Sequence, residues 1–234
     1  AFQDETRVFF VTEYCSGGDF FQMLSKLPSH KVGIDAARFF LAELVISLDY
    51  IHSRGLIFAD LKPENCFLQN GHIKIGDFGL SKRFMDGDSA TKAEGLRNTR
   101  PIRPSNEVCG TPQYMAPEVI QEFTPTIAID YWALGIMAYE MLVGGYPFKR
   151  ESTADLFFHL LTQKVEFPVS FARSALGSTL PSGSGISSSG SDPCPGQYVA
   201  AMDLTMRLLD KDPSSRLGRN GGGEVKAHPF FRGV

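Results

Sequence analysis

The alternation of apolar and polar positions opens with one apolar run and then turns helical. Arg7 to Tyr14 (R-V-F-F-V-T-E-Y) is rich in β-branched and aromatic residues and stops at Ser16-Gly17-Gly18, which predicts a buried strand. Asp19 to Leu27 predicts a short helix. From Asp35 to Ser53 the residues Leu41, Leu44, Val45, Leu48 and Ile51 recur at helical spacing, and Gly55 follows as a terminator, so a long helix is expected. Leu56 to Asn65 reads as a loop. Cys66 to Gln69 and His72 to Ile75 flank Asn70-Gly71, a strong hairpin signal. A polar, partly basic loop then runs from Gly79 to Asn106. Beyond Asp130 helical patterns dominate, at Tyr131 to Gly144, Thr153 to Thr162 and Gln197 to Leu209. Between the last two, every residue from Ser182 to Ser191 is Ser or Gly except Ile186, a composition with nothing to bury. No internal repeat is present, and the order, a little β followed by much α, predicts a mainly α fold.

Composition narrows the class. A chain of 234 residues with 43% hydrophobic content can bury a real core, and 21% charged residues argue against disorder throughout. A net charge of −3 argues against a dedicated nucleic-acid binder. Cys15, Cys66, Cys109 and Cys194 are scattered, with no C-x-x-C pair and no His at ligand spacing, which fits free thiols in a reducing compartment. The chain opens with charged Asp4, Glu5 and Arg7, so no signal peptide is expected. The apolar stretches Phe39 to Ile51 and Tyr131 to Val143 are interrupted by Glu43 and Glu140, short of the roughly 20 apolar residues of a membrane span. A soluble, cytoplasmic protein is expected.

The chemistry concentrates in Asp60-Leu61-Lys62-Pro63-Glu64-Asn65, followed after one hairpin by Asp77-Phe78-Gly79. A hairpin between two loops brings the loops side by side. Asp60, Asn65 and Asp77 can then converge, and two carboxylates with an amide oxygen suit Mg²⁺. Either motif alone reads more readily as chance.

In this order the residues resemble the protein kinase family, where a catalytic loop precedes a magnesium loop. The resemblance implies that Asp60 orients and deprotonates a substrate hydroxyl, that Lys62 steadies the transferring phosphate, and that Asn65 and Asp77 hold the metals. Lys62-Pro63 is the serine/threonine form of the loop. Gly110-Thr111-Pro112-x-Tyr114-Met115-Ala116-Pro117-Glu118 is similar to the end of an activation segment, and it places Thr111 among the catalytic residues. Asp130-x-Trp132-x-x-Gly135 is similar to the helix that anchors the catalytic loop, and Asp212-Pro213-x-x-Arg216-Leu217-Gly218 supplies an arginine to pair with Glu118. His228-Pro229-Phe230-Phe231 closes the lobe. Cys109-Gly110-Thr111-Pro112, the R-L-G ending and H-P-F-F resemble the AGC group, which contains the cyclic-nucleotide-dependent kinases.

The resemblance implies ATP and Mg²⁺ as cofactors, and protein substrates with basic residues near the target Ser or Thr. Asp19, Glu64 and Glu140 match the acidic positions that read those residues, though each could be a solvated carboxylate. At the hinge, the Glu13 carbonyl and the Cys15 amide would bond adenine, Asp19 would reach the ribose, and Phe67 would lie beneath the ring. The implied domain spans 1–231, with the last small-lobe strand and hinge at 1–18 and a large lobe at 19–231. Insertions are expected at 86–106 in the activation loop and at 171–196, the Ser/Gly-rich segment. No motif names a regulatory partner.

Three features depart from the family. No G-x-G-x-x-G and no strand-borne lysine precede the hinge, so the chain is expected to be a fragment that lacks most of the small lobe, transfers phosphate poorly and exposes the apolar edge near Val8 to Val11. The catalytic loop reads Phe58-Ala59-Asp60, with alanine where the family carries arginine, and Glu107 stands where the AGC group carries a phosphorylated threonine. Glu107 is expected to pair with Lys82. The stretch between Gly79 and Cys109 is long, and a solvated insertion is the expected reading. Two other functional classes are consistent with these residues: a non-catalytic module that binds peptides or partners, and a nucleotide sensor without transfer.

Overall fold

The computed structural model describes residues 1–83, 112–121, 123, 126–148, 152–176 and 194–234. Two short strands, β1 (Phe2–Gln3) and β2 (Val8–Phe9), pair antiparallel at the start. Helix α1 (Phe20–Ser25) is capped by the Asp19 side chain, which accepts from the Gln22 N–H at 2.8 Å. Helix α2 (Ile34–Ser53) buries Ile34, Ala37, Leu41, Leu44, Val45, Leu48 and Ile51, the stripe its periodicity specifies. Strand β3 (Leu56–Ile57) pairs with β6 (Lys82–Arg83), and β4 (Cys66–Gln69) with β5 (His72–Ile75). The β4–β5 turn places Asn70 at φ 53° and Gly71 at φ 85°, the double left-handed geometry that makes Asn-Gly a hairpin signal.

The rest is helical: α3 (Pro117–Ile120), α4 (Ala128–Val143), α5 (Thr153–Thr162), α6 (Val169–Leu176), α7 (Pro195–Leu208) and α8 (Gly222–Lys226). Nearly every residue of α4 is buried, as expected of a helix apolar on all sides that sits at the centre of a domain. It packs against α2 and α7, while α2 also contacts β5 and α8. Trp132 of α4 stacks on Phe148 with ring centroids 6.0 Å apart. Among the described residues no helix is long and apolar enough to cross a membrane, and Cys15, Cys66 and Cys194 are unbridged.

The mainly α architecture with a hairpin beside the Asp60 loop agrees with expectation. Arg7 to Tyr14 does not. Only Val8–Phe9 is strand, and Phe10 and Val11 are each 77% exposed. Apolar side chains form a buried strand only when something covers them, and no described residue covers these; the expectation of an exposed edge there holds. The segment 171–196 begins and ends in helix, because Phe171 of α6 packs edge-on against Tyr198 of α7 at 5.2 Å. Residues 177–193 lie outside the described residues, as does all of 86–106.

Helix α4 stops at Gly144, whose φ is 87°. A Cβ at that position would lie 1.9 Å from the Ser29 carbonyl oxygen, so both backbone conformation and space demand glycine. Gly144→Ala is expected to cost about 1–3 kcal/mol from the left-handed conformation alone, read as a lower urea midpoint at unchanged slope.

Candidate catalytic site

The site is built from a carboxylate outward. Asp130, in the first turn of α4, is 1% exposed. Its Oδ2 accepts from the Phe58 N–H at 2.9 Å and its Oδ1 from the Ala59 N–H at 2.7 Å, while His52 Nε2 lies 2.7 Å from Oδ2. These bonds hold Ala59 at φ 67°, a left-handed conformation that costs a non-glycine residue of order 1–3 kcal/mol. Phe58 is fully buried and meets Phe78 edge-on at 5.2 Å, which ties the Asp60 loop to the loop that carries Asp77. The Ser81 hydroxyl donates to the Phe58 carbonyl at 3.1 Å and reinforces that tie.

Asp60 then receives three side-chain bonds. Lys62 Nζ lies 3.0 Å from Oδ1 and 2.8 Å from Oδ2, and Asn65 Nδ2 donates to Oδ2 at 2.7 Å as well as to the Asp60 carbonyl at 2.9 Å. The hairpin brings the second loop alongside: the Gly76 N–H donates to the Asn65 carbonyl at 2.9 Å, so Asp77 begins one residue from that bond. Asp77 is exposed at φ 61°, with Oδ1 accepting from the Gly79 N–H at 3.1 Å. Among the described residues Asn65 Oδ1 and Asp77 Oδ2 have no partner. Two hard oxygens of this kind fit Mg²⁺, which completes its shell with phosphate and water rather than with a protein cage. Among the described residues no group of three or more His, Cys, Asp or Glu that could hold a metal occurs.

The segment just after the expected hinge is tied to the hairpin. The Gly17 N–H donates to the Leu68 carbonyl and the Leu68 N–H to the Gly18 carbonyl, each at 2.9 Å, and Asp19 and Phe67 form a bridge. Strand β4 therefore lies against residues 17–19. Among the described residues the Glu13 carbonyl and the Cys15 N–H have no backbone partner, while the Glu13 carboxylate pairs with Lys74 at 2.6 Å. The Phe67 ring rests over Gly76, where a Cβ would lie 2.8 Å from it. Asp19 is committed to α1, with Gln22 bonded to both its oxygens.

A second acidic centre lies around Glu140. Glu140 is 8% exposed and accepts from the Tyr114 hydroxyl. Burial pushes the Glu140 carboxyl up to about 7, with the Glu64 charge adding and the Tyr114 bond opposing. Burial also holds the Tyr114 phenol well above its usual range, with the Glu140 charge second. Glu64 Oε2 and Gln113 Oε1 are buried without partners among the described residues. Glu64 and Glu140 were legible in the sequence. Tyr114 was legible as part of its motif, but its bond to Glu140 spans 26 positions and left no local signal.

Glu118 and Arg216 form the expected buried bridge, at 2.5 Å and 2.8 Å, and Arg216 also donates to the carbonyls of Ala128 and Asp210. Thr111, Cys109 and Glu107 lie outside the described residues, so the Glu107–Lys82 pair does too.

Comparison with known proteins agrees with this geometry. The protein kinase domain family matches residues 1–231. Phototropin-1A of Oryza sativa subsp. japonica is 38% identical over 250 residues, covering 100% of this chain and 24% of the relative. The serine/threonine-protein kinase nrc-2 of Neurospora crassa is 37% identical, covering 99% of this chain and 36% of the relative. The cAMP-dependent protein kinase type 3 of Saccharomyces cerevisiae is 34% identical, covering 100% of this chain and 48% of the relative. The chain thus spans less than half the length of each of these relatives.

Removing one end of a buried ion pair strands the other charge. Glu118→Ala is expected to lower unfolding free energy by about 3–5 kcal/mol, and adding Arg216→Met should recover part of that loss in a denaturant-based double-mutant cycle, the remainder being the Ala128 and Asp210 carbonyls left without their donor.

Proposed function

The chain belongs to the protein kinase family, in the AGC group of serine/threonine kinases, and on that premise we propose that it forms the large lobe of an enzyme that transfers the terminal phosphoryl group of ATP to Ser or Thr hydroxyls near basic residues. The observation that carries this reading is the Asp60 carboxylate, fixed by Lys62 and Asn65 one hairpin away from Asp77.

Phosphoryl transfer needs positioning and charge stabilisation more than covalent help. Asp60 accepts the proton of the attacking hydroxyl. The hydroxyl oxygen bonds to the γ-phosphorus as the bond to the bridging oxygen breaks, and ADP leaves. Lys62, already paired with Asp60, offers positive charge beside the incoming phosphate. Asn65 holds Asp60 through its amide nitrogen, which frees its oxygen for a metal, and Asp77 supplies the second oxygen. Mg²⁺ bound there would neutralise phosphate charge. The unpartnered Glu13 carbonyl and Cys15 N–H suit an adenine edge, with the Phe67 face below it.

The preference for basic residues rests on the acidic centre. The charge of Glu64 acts on Glu140, and among the described residues Glu64 Oε2 is buried without a partner. A guanidinium would satisfy both. Asp19, bonded through both oxygens within its own helix cap, is the weaker candidate for this role.

In the full-length protein, Asp60→Asn is expected to lower kcat by roughly 10²–10⁴-fold while Mg-ATP still raises the melting temperature; unchanged turnover would remove Asp60 from the chemistry. A carboxyl that titrates near 7 when empty must ionise to pair with arginine. Affinity for an arginine-bearing peptide should therefore rise about tenfold between pH 6 and pH 8, and Glu140→Gln should flatten that profile. A flat wild-type profile would rule out Glu140 as the reader.

A further inference from the structure

One cation lies outside the chemistry described so far. Lys211, just beyond α7, donates through Nζ to the carbonyls of Leu160 and, at 3.4 Å, His159, both in the last turns of α5. Its ammonium sits 4.6 Å from the centroid of the Phe148 ring and 5.8 Å from that of Trp132. The neighbouring carboxylates are turned to their own loop: Asp210 accepts from Ser215 and the Asp212 N–H, and Asp212 from Ser214. Among the described residues Lys211 has no carboxylate partner. Burial alone pushes the ammonium down to about 8, so folding disfavours its charged form, and that cost disappears only as the pH rises past this value.

What the charge does is visible in what it joins. A cation at a helix C-terminus complements the helix dipole and satisfies carbonyls that the helix leaves open. The ring faces of Phe148 and Trp132 receive the same ammonium. Four segments therefore meet at one nitrogen: the end of α5, α4 through Trp132, the turn after α4 that carries Phe148, and the 210–217 loop, whose Arg216 reaches Glu118 of α3. Helix α5 packs in turn against α3 and against the Pro112–Tyr114 turn. That turn carries Tyr114, the partner of Glu140.

We propose that Lys211 is a positioning residue for substrate: its ammonium, seated between Phe148 and Trp132 and bonded to the terminal carbonyls of α5, fixes where α5 bears on the Pro112–Tyr114 turn and so sets the geometry of the Glu64–Glu140 pocket. The substrate half of this statement rests on the kinase reading above; the clamp on α5 does not.

The test is Lys211→Met in the full-length protein, with Lys211→Gln as the substitute if the methionine variant does not fold. Amides in the last turn of α5 are expected to exchange with deuterium about tenfold faster, with those of α2 and α4 unchanged. KM for an arginine-bearing peptide should rise several-fold at unchanged kcat and unchanged KM for ATP. Unaltered exchange in α5, or equal acceleration in α2, α4 and α5, overturns the clamp. Faster α5 exchange with an unmoved peptide KM overturns the positioning role. A wild-type protein that transfers no phosphate, while α5 still responds to the substitution, sinks the kinase reading and leaves the clamp standing.

Discussion

The site depends on a buried carboxylate that, among the described residues, has no lysine or arginine partner. Asp130 is neutralised by geometry: two backbone N–H groups and a histidine ring converge on its oxygens inside the core. A buried carboxylate is costly unless its lone pairs are filled, and the donors that fill these belong to the loop that must be held. Solvating the charge and shaping the loop are thus one requirement. Ala59 stays in an unfavourable backbone conformation because releasing it would strand Asp130.

That arrangement explains why α4 is buried on every side. A helix that presents Asp130 at one end, Glu140 near the other and Trp132 between them must be immobile for any of the three to act. The surrounding α2, α7 and Phe148 supply that rigidity. Charge inside the lobe is handled in three ways. Asp130 is met by two backbone N–H groups and a histidine ring, Glu118 by a bidentate arginine, and Glu140 by a phenol, with its carboxyl pushed up to about 7 by burial. The first two are closed and structural. The third, among the described residues, leaves Glu64 Oε2 buried without a partner, and an unsatisfied acidic group beside the Asp60 loop is where a ligand can still contribute free energy.

Much of this was legible in sequence because short-range rules governed it. Asn70-Gly71 dictated the hairpin, helical spacing from Leu41 to Ile51 dictated α2, and the order from Asp60 to Asp77 dictated which side chains could meet. Tertiary cover was not legible. Arg7 to Tyr14 has strand composition, yet composition cannot tell whether a neighbour will bury it. Helix α6 was overlooked because eight residues carry too little periodicity, and its formation relies on Phe171 meeting Tyr198. The Tyr114–Glu140 bond and the Lys211 seat likewise join positions far apart in the chain, where no local pattern can announce them. Asp19 shows the converse: its position was identified, but its side chain is occupied at a helix cap.

The bonding around Asp60 has a chemical corollary. Among the described residues, Lys62 and Asn65 both donate to Oδ2, whereas Lys62 alone reaches Oδ1. The two oxygens of a free carboxylate are equivalent; these are not. In an enzyme of the kind proposed, Oδ1, with one donor against two on Oδ2, keeps the greater capacity to accept a proton, so Asn65 sets how basic each edge of Asp60 is.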